Sequence, residues 1–328
     1  MFKKVLRRIR EKGFIGGTKY FVKKITGREK LEDEIDTLYY FLNAYADVTK
    51  VPKANGALRK MQECDAVLLK IFHNVCVQNG LTYWLDSGTL LGAVRHGGFI
   101  PWDDDMDVVM PREDYDKALS IFPELLKEFG IDVNEFKERP MMSFGFSYKH
   151  KETGIWLDVF PVDQLRTDGE SRDAVDGRLS IYKKYYYKNR FKVPKVDLLT
   201  KKKDVFDNEK ITDCSKTSLV VSPEWPANRF FVYNYSDVYP LQMISFEGEQ
   251  YFCPGNTDAY LTELYGRNYM GFPRNGVLHH GSGEVMLYER AAVYGVSMGT
   301  ILDEMAEIEK KTRQGEIETM RGRQFAMH

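Results

Sequence analysis

Between Tyr83 and Met110 the chain reads YWLDSGTLLGAVRHGGFIPWDDDMDVVM, and four aspartates, Asp103, Asp104, Asp105 and Asp107, fall within five positions of it. Phe99 and Trp102 precede them, and the apolar run Val108, Val109, Met110 follows. Most charge runs are solvated loops, but this one is hemmed on both sides by residues that seek a core. Like charges so close repel unless a cation lies among them. In a strand, residues i and i+2 share a face. Asp105 and Asp107 are therefore expected to share one cation, with Met106, Val108 and Val109 on the buried side. Carboxylate oxygens suit Mg²⁺, with Mn²⁺ as the alternative; Mg²⁺ takes one or two carboxylates together with substrate phosphates. A calcium loop fits less well. Asp103, Asp105, Asp107 and Asp114 take its positions 1, 3, 5 and 12, but position 6 is Val108 where Gly is needed, and position 12 is normally Glu.

Upstream, Ser87, Gly88 and Thr89 form a small-residue turn that can offer backbone N–H groups to a phosphate. Gly88 permits close approach, and the Thr89 hydroxyl can donate. Arg95 is the nearest cation, able either to neutralise a phosphate oxygen or to pair with a surface acid. Asp86 caps the turn or orients a ligand, Asp103 and Asp104 supplement the metal site, and His96 reads as structural. Downstream, Asp158 stands alone in the apolar run Trp156, Leu157, Asp158, Val159, Phe160. A lone acid in such a strand either faces outward or has a partner. Asp158 would be a third metal ligand or the base that takes an acceptor proton, and the residues do not separate the two roles. Asp163 is a weaker spare. Acids for a divalent cation beside a phosphate-binding turn point to phosphoryl or nucleotidyl transfer.

The run LDSGTLLGAVRHGGFIPWDDDMDVVMPREDY resembles the signature of the LicD family, which is similar to the fukutin-related transferases. A second block, IWLDVFPVD at residues 155–163, matches too, and a weaker one between Tyr251 and Gly266 contains FCPGNTDAYLTELYG. The resemblance covers roughly residues 60–165 and 245–275. It implies a nucleotidyltransferase fold in which Gly88 and Thr89 hold phosphate. It further implies a CDP-activated small-molecule donor, CDP-choline first and CDP-activated polyols next. The phospho-head group would pass to a hydroxyl of a glycan acceptor such as teichoic acid, lipopolysaccharide or capsule. A quaternary ammonium group would want an aromatic cage, for which Tyr83, Trp84, Trp102, Tyr148 and Trp156 are candidates. Three readings stay open: a Mg²⁺-dependent phosphotransferase with a CDP-activated donor, a nucleotidyltransferase using an NTP, and an inactive binding protein of a glycan-assembly complex. Intact Asp105, Asp107 and Asp158 weigh against the last.

Composition adds limits. With 43% hydrophobic and 29% charged residues, the chain can build a true core. A net charge of −1 gives no bulk attraction to nucleic acid. The scattered Cys64, Cys76, Cys214 and Cys253 form no CxxC pair, so a reducing, cytoplasmic setting is expected. Residues 1–30 hold eleven Lys or Arg against two Glu, with apolar residues at roughly helical spacing. Such a segment either lies on an anionic membrane, peripheral at its inner face, or forms an ordinary solvated helix packed on the domain. No apolar run is long enough for a transmembrane helix.

The patterning predicts helices at 31–50, 56–79, 112–129, 257–265 and 300–320. The stripe in the second runs through Leu58, Met61, Cys64, Asp65, Leu68, Leu69, Phe72, Val75 and Cys76. Strands are expected at 81–85, 106–110, 143–150, 155–160, 228–235 and 242–252, with a hairpin turn at 151–154. Residues 170–216, rich in Lys and Tyr, read as a helical insertion with an exposed basic loop. The domain plan is a basic segment at 1–30, a helical lead-in and core at 31–165, an insertion at 166–245 and a C-terminal part at 246–328. The fold class is α/β (α+β), a short mixed sheet flanked by helices with helical insertions.

Overall fold

The computed structural model describes residues 28–135, 143–150, 153–166, 172–189, 217–222, 231–273 and 295–313, with isolated positions among 192–208 and at 293. Residues 1–27 of the basic segment and most of the expected basic loop lie outside the described residues, Cys214 among them. Two compact units are present, residues 1–51 with 270–275, and residues 52–269 with 276–328. In the first, helix α1 (Arg28–Tyr45) leaves Leu31, Ile35, Leu38, Leu42 and Tyr45 exposed. The Phe272 N–H donates to Asn43 Oδ1 at 2.7 Å.

The second unit holds the sheet. Helix α2 (Gly56–Gln78) leads to β1 (Trp84–Leu85), α3 (Ser87–His96), β2 (Asp107–Pro111) and α4 (Arg112–Leu125). Then follow β3 (Ile131–Glu135), β4 (Phe144–His150), β5 (Thr153–Arg166), α5 (Arg172–Asn189), β6 (Thr217–Ser222) and β7 (Phe231–Asn234). Next come the short α6 (Tyr235–Val238), the hairpin β8 (Gln242–Phe246) and β9 (Glu249–Cys253), α7 (Thr257–Tyr265) and α8 (Met298–Arg313). The sheet runs β1-β2-β5-β4-β3, and β6 pairs with β5 and then with β7. The β2–β5 pair is parallel, and the other pairs are antiparallel. The fold is thus the mixed sheet flanked by helices that the patterning predicts.

Strand β5 is the spine. Its first half pairs with β4 across the expected hairpin, its middle with β2, and its end with β6. Leu157 and Val159 are fully buried while Trp156 is exposed, so the strand alternates until Val159 and is buried on both faces beyond it. That is the pattern of a strand covered on two sides. Strand β2 is likewise buried from Asp107 to Met110, with Val108, Val109 and Met110 all inaccessible. Met106, Val108 and Val109 are buried, as the patterning predicts. Asp105 precedes the strand, and Asp107, its first residue, is itself buried.

Helix α2 packs against α8 and β5, with Met61, Cys64, Leu68, Phe72 and Cys76 inward, as the stripe requires. A smaller cluster joins Val175, Leu179 and Tyr182 of α5 to Leu165, Leu219, Val221 and Val232, covering the β5–β6–β7 end of the sheet. Cys64, Cys76 and Cys253 are buried free thiols. Among the described residues no helix is long and apolar enough to cross a membrane.

Candidate active site

The site forms where β2 and β5 run side by side. Asp107 and Asp158 are register partners across this parallel pair, so their side chains leave the same face of the sheet about 4.8 Å apart along the hydrogen-bonding direction. The Asp158 N–H donates to the Met106 carbonyl at 3.0 Å, which fixes that register one residue before β2 begins. Helix α3 starts beside them. The Asp86 N–H donates to the Asp107 carbonyl at 3.1 Å, and the Asp107 N–H donates to Thr89 Oγ1 at 2.9 Å. Ser87, Gly88 and Thr89, expected as a turn, are in fact the first turn of this ten-residue helix.

Gly88 admits the Asp103 carboxylate. A Cβ there would lie 2.6 Å from Asp103 Oδ2. Asp103 is buried, and its carboxylate stands by the helix N-terminus, where negative charge is favoured. The helix ends at Gly97, whose φ of 66° is the left-handed value that glycine supplies without strain, and its N–H donates to the Ala93 carbonyl. That sharp exit turns the chain back through Phe99 and Ile100 toward the aspartates.

Asp86 caps α3 without a side-chain hydrogen bond to the helix. Its carboxylate instead accepts from Ser87 Oγ at 3.0 Å and from the Tyr260 hydroxyl at 2.8 Å. Tyr260 stacks on Tyr233 with centroids 3.9 Å apart and accepts from Trp84 Nε1 at 3.2 Å. Burial pushes the Asp86 carboxyl above its ordinary value, and the bonds from Tyr260 and Ser87 offset only part of that. Ser87 sits at φ 47°, an uncommon value for a residue with a side chain, so strain is stored at the helix start.

Arg95 is buried rather than on the surface. Its Nη1 donates to the Tyr269 carbonyl at 3.2 Å, and its guanidinium lies 5.8 Å from the Trp102 ring. Burial lowers its pKa, while Tyr265 and Asp103 oppose the loss of charge. Asp163 stands five residues beyond Asp158 on β5 and is held by Arg112 in a bidentate pair, Nε to Oδ1 at 2.9 Å and Nη2 to Oδ2 at 2.8 Å. Of the cage candidates, Tyr83 and Trp84 are wholly buried core residues, and the Tyr148 hydroxyl donates to Glu304. These three do not form a ligand cage; Trp102 is half-buried and Trp156 exposed.

Two residues whose charges or hydroxyls couple to the acids were not read as site residues in the sequence. Tyr265, at the end of α7, keeps 45% of its surface exposed. Its hydroxyl is nonetheless pushed well above the ordinary tyrosine value, by its surroundings first and then by Asp86, Asp107, Asp103 and Asp105. Asp65 of α2 is the other; its position in an apolar stripe masked it.

The donor set fits a hard divalent cation. Burial first, and then Asp105, Asp158, Asp86 and Asp103, push the Asp107 carboxyl well above its ordinary value. A cation would relieve that concentration of charge. Among the described residues no three His, Cys, Asp or Glu side chains form a ready-made metal cage. Two carboxylates completed by substrate oxygens suit Mg²⁺ better than a closed structural ion. Asp105, Asp107 and Asp158 are the residues that would hold it.

The site is thus a mixed sheet carrying paired aspartates beside a helix N-terminus. Residues 80–211 match the family described as LicD/FKTN/FKRP, nucleotidyltransferase domain, so the chain carries a LicD-family domain. It is 40% identical over 79 residues to the lipopolysaccharide cholinephosphotransferase LicD of Haemophilus influenzae, covering 24% of this chain and 30% of that protein. An uncharacterized protein of Rickettsia prowazekii is 47% identical over 125 residues, covering 37% and 45%. The ribitol 5-phosphate transferase FKRP of Homo sapiens is 57% identical over 35 residues, covering 11% and 7%. The matched region thus spans less than half the length of each of these relatives.

Proposed function

We propose that the protein is a Mg²⁺-dependent phosphotransferase that moves a phospho-head group, phosphocholine first among them, from a CDP-activated donor to a hydroxyl of a cell-surface glycan. The observation that supports it is the meeting of Asp107 and Asp158 on parallel strands, with Asp105 beside them and the first turn of α3 alongside. The names of the relatives from H. influenzae and H. sapiens describe transfer of choline phosphate and ribitol phosphate, and the family resemblance motivates the CDP donor. In this reaction the acceptor oxygen forms a bond to the head-group phosphorus, the phosphorus–oxygen bond to CMP breaks, and the hydroxyl proton passes to a base. A bound cation supplies charge neutralisation for the diphosphate.

The chain's own residues do the positioning. Thr89 and the first-turn N–H groups of α3 face the phosphates. Asp103 already lies by that turn, so a phosphate is best received there together with a cation that screens the two anions. Asp105 and Asp107 hold the charge that the cation meets, and Asp158 either completes that set or takes the acceptor proton. Arg95, held between Trp102 and the Tyr269 carbonyl, supplies fixed positive charge near Asp103. We place the protein at the inner face of the cell membrane, held peripherally by residues 1–30.

A second reading, attachment of the nucleotide from an NTP, draws support from the name of the matching domain. Mass spectrometry separates the two. With Mg²⁺ and CDP-choline or a CDP-polyol, CMP and a phospho-modified acceptor are expected without pyrophosphate. Pyrophosphate from CTP or ATP, with the nucleotide left on the acceptor, overturns the first reading. Asp105→Asn and Asp107→Asn should each abolish turnover in a folded protein. Full activity in either would remove it from the site.

A further inference from the structure

Asp65 lies midway along α2 among Met61, Cys64, Leu68 and Leu69, all of them core residues. It is 3% exposed, and its buried Oδ2 has no hydrogen-bond partner among the described residues. A carboxylate placed this way costs stability unless something pairs with it, and such an atom calls for an ion or a water.

The helix shows what it faces. Gln62, three residues earlier and so on the same face, donates from Nε2 to the Asp103 carbonyl at 2.9 Å and to the Ile100 carbonyl at 3.4 Å. This docks one face of α2 onto the segment that delivers the aspartates. The charges that bear on Asp65 are Asp105, then Asp104, then Asp103, all of its own sign, and they add to burial in pushing its carboxyl up. Packing gives no reason for an acid here, since a neutral side chain of similar size would fill the same space without the repulsion.

We propose that Asp65 is an outer carboxylate of the cation site, accepting hydrogen bonds from water carried by a divalent ion at Asp105 and Asp107. It thereby sets how tightly the site holds the hydrated ion before the donor arrives. The inference rests on the cation reading above. Mg²⁺ sheds water reluctantly and keeps several molecules when bound. Carboxylates that orient the inner shell of a metal typically contribute about 10- to 100-fold in affinity. Asp65 is thus a positioning residue, contributed by a helix that carries none of the expected inner ligands.

The test compares wild type with Asp65→Asn and Asp65→Leu in the full chain. Thermal unfolding is followed in EDTA and across a Mg²⁺ titration, and free Mn²⁺ is counted by electron paramagnetic resonance. Wild type is expected to bind Mn²⁺ and to melt higher in Mg²⁺. The variants are expected to melt at or above wild type in EDTA, because an unpartnered buried carboxyl beside like charges is gone. They should bind Mn²⁺ at least about tenfold more weakly and gain little from Mg²⁺. Unchanged Mn²⁺ affinity in the variants overturns the proposal while leaving the cation reading intact. So does lower melting of both variants with and without metal, failure to fold included, which would make Asp65 a structural residue. Absence of Mn²⁺ binding by wild type would overturn the cation reading itself and this proposal with it.

Discussion

The Thr89 hydroxyl accepts the backbone N–H of Asp107 at 2.9 Å, tying the first turn of α3 to the first residue of β2. The Asp107 carbonyl meanwhile accepts from Asp86, so the peptide groups on both sides of this acid are held. Thr89→Val keeps the shape but removes the acceptor, leaving a buried N–H unpaired at a cost of about 1–3 kcal/mol. Stability by urea titration and turnover should fall together, and Thr89→Ser should restore both. Wild-type stability in the valine variant would show that the bond is dispensable.

Gly88→Ala should place a methyl group 2.6 Å from Asp103 Oδ2. Either α3 or the aspartate must then move, at about 1–3 kcal/mol, and turnover should drop by at least about tenfold, or ~1.4 kcal/mol in the barrier. Pairing Gly88→Ala with Asp103→Ala should recover part of the stability, a coupling that a double-mutant cycle measures. Strict additivity of the two changes would contradict the contact.

Asp158→Asn distinguishes two roles. As a base, Asp158 should leave donor affinity in Mg²⁺ within about tenfold, or ~1.4 kcal/mol, while turnover falls at least about a hundredfold. As a metal ligand, it should weaken donor binding and turnover together. Titration calorimetry beside turnover reads both, and wild-type behaviour in each would take Asp158 out of the site.

Glu247 fastens the loop leading to the aspartates. It accepts from Arg59 at 2.8 and 3.2 Å, from Lys53 at 2.8 Å and from the Phe99 N–H at 3.2 Å. Its own N–H donates to the Gly97 carbonyl at 3.0 Å. Burial raises its carboxyl, but the bonds from Arg59, Lys53 and Phe99 together outweigh this and hold it down at about 2. The folded value lies below the unfolded one, so the stabilisation is present above the unfolded value of about 4.3 and is lost as pH falls through the folded value. Glu247→Gln should be less stable than wild type at pH 7, by an amount that shrinks between pH 5 and 2 (approximate bounds from the same two values). Parallel acid limbs in the two proteins would refute the latch.

The eleven Lys and Arg of residues 1–30 should draw the chain to anionic vesicles at about 1 kcal/mol for each cation close to the surface. Co-sedimentation should weaken as salt rises. Deleting residues 1–30 should abolish it while sparing turnover of soluble substrates. Equal sedimentation of both forms would remove the membrane from the proposed function.

Local signals in the sequence carried much of this architecture. Alternation and glycine or proline punctuation mark β2, β4, the start of β5 and α7 within a residue or two, and the stripe of α2 is the observed core face. Pairing over long separations left no such trace. Nothing near residues 217–234 indicates that β6 and β7 continue the sheet from β5. The expected strand at 81–85 shrinks to Trp84–Leu85 because β1 meets β2 over only those two residues. Asp105, Asp107 and Asp158 stand out because acids beside apolar strands are conspicuous. Asp65 does not, since one acid inside a helical stripe looks like imperfect packing. Glu247 and Tyr260 reveal their partners only once the hairpin and α7 are folded against α3.

The Tyr260 hydroxyl reaches Asp86 across 174 positions of chain. During synthesis, at about 5–20 residues per second, Asp86 therefore waits on the order of ten seconds or more for that hydroxyl to be made. The Glu247 fastening arrives almost as late. A nascent chain halted before α7 holds Asp105, Asp107 and Asp158 yet lacks the groups that seat the start of α3. Termination before Tyr260 is thus expected to yield fragments that retain the acids without the bond that seats Asp86 at the start of α3.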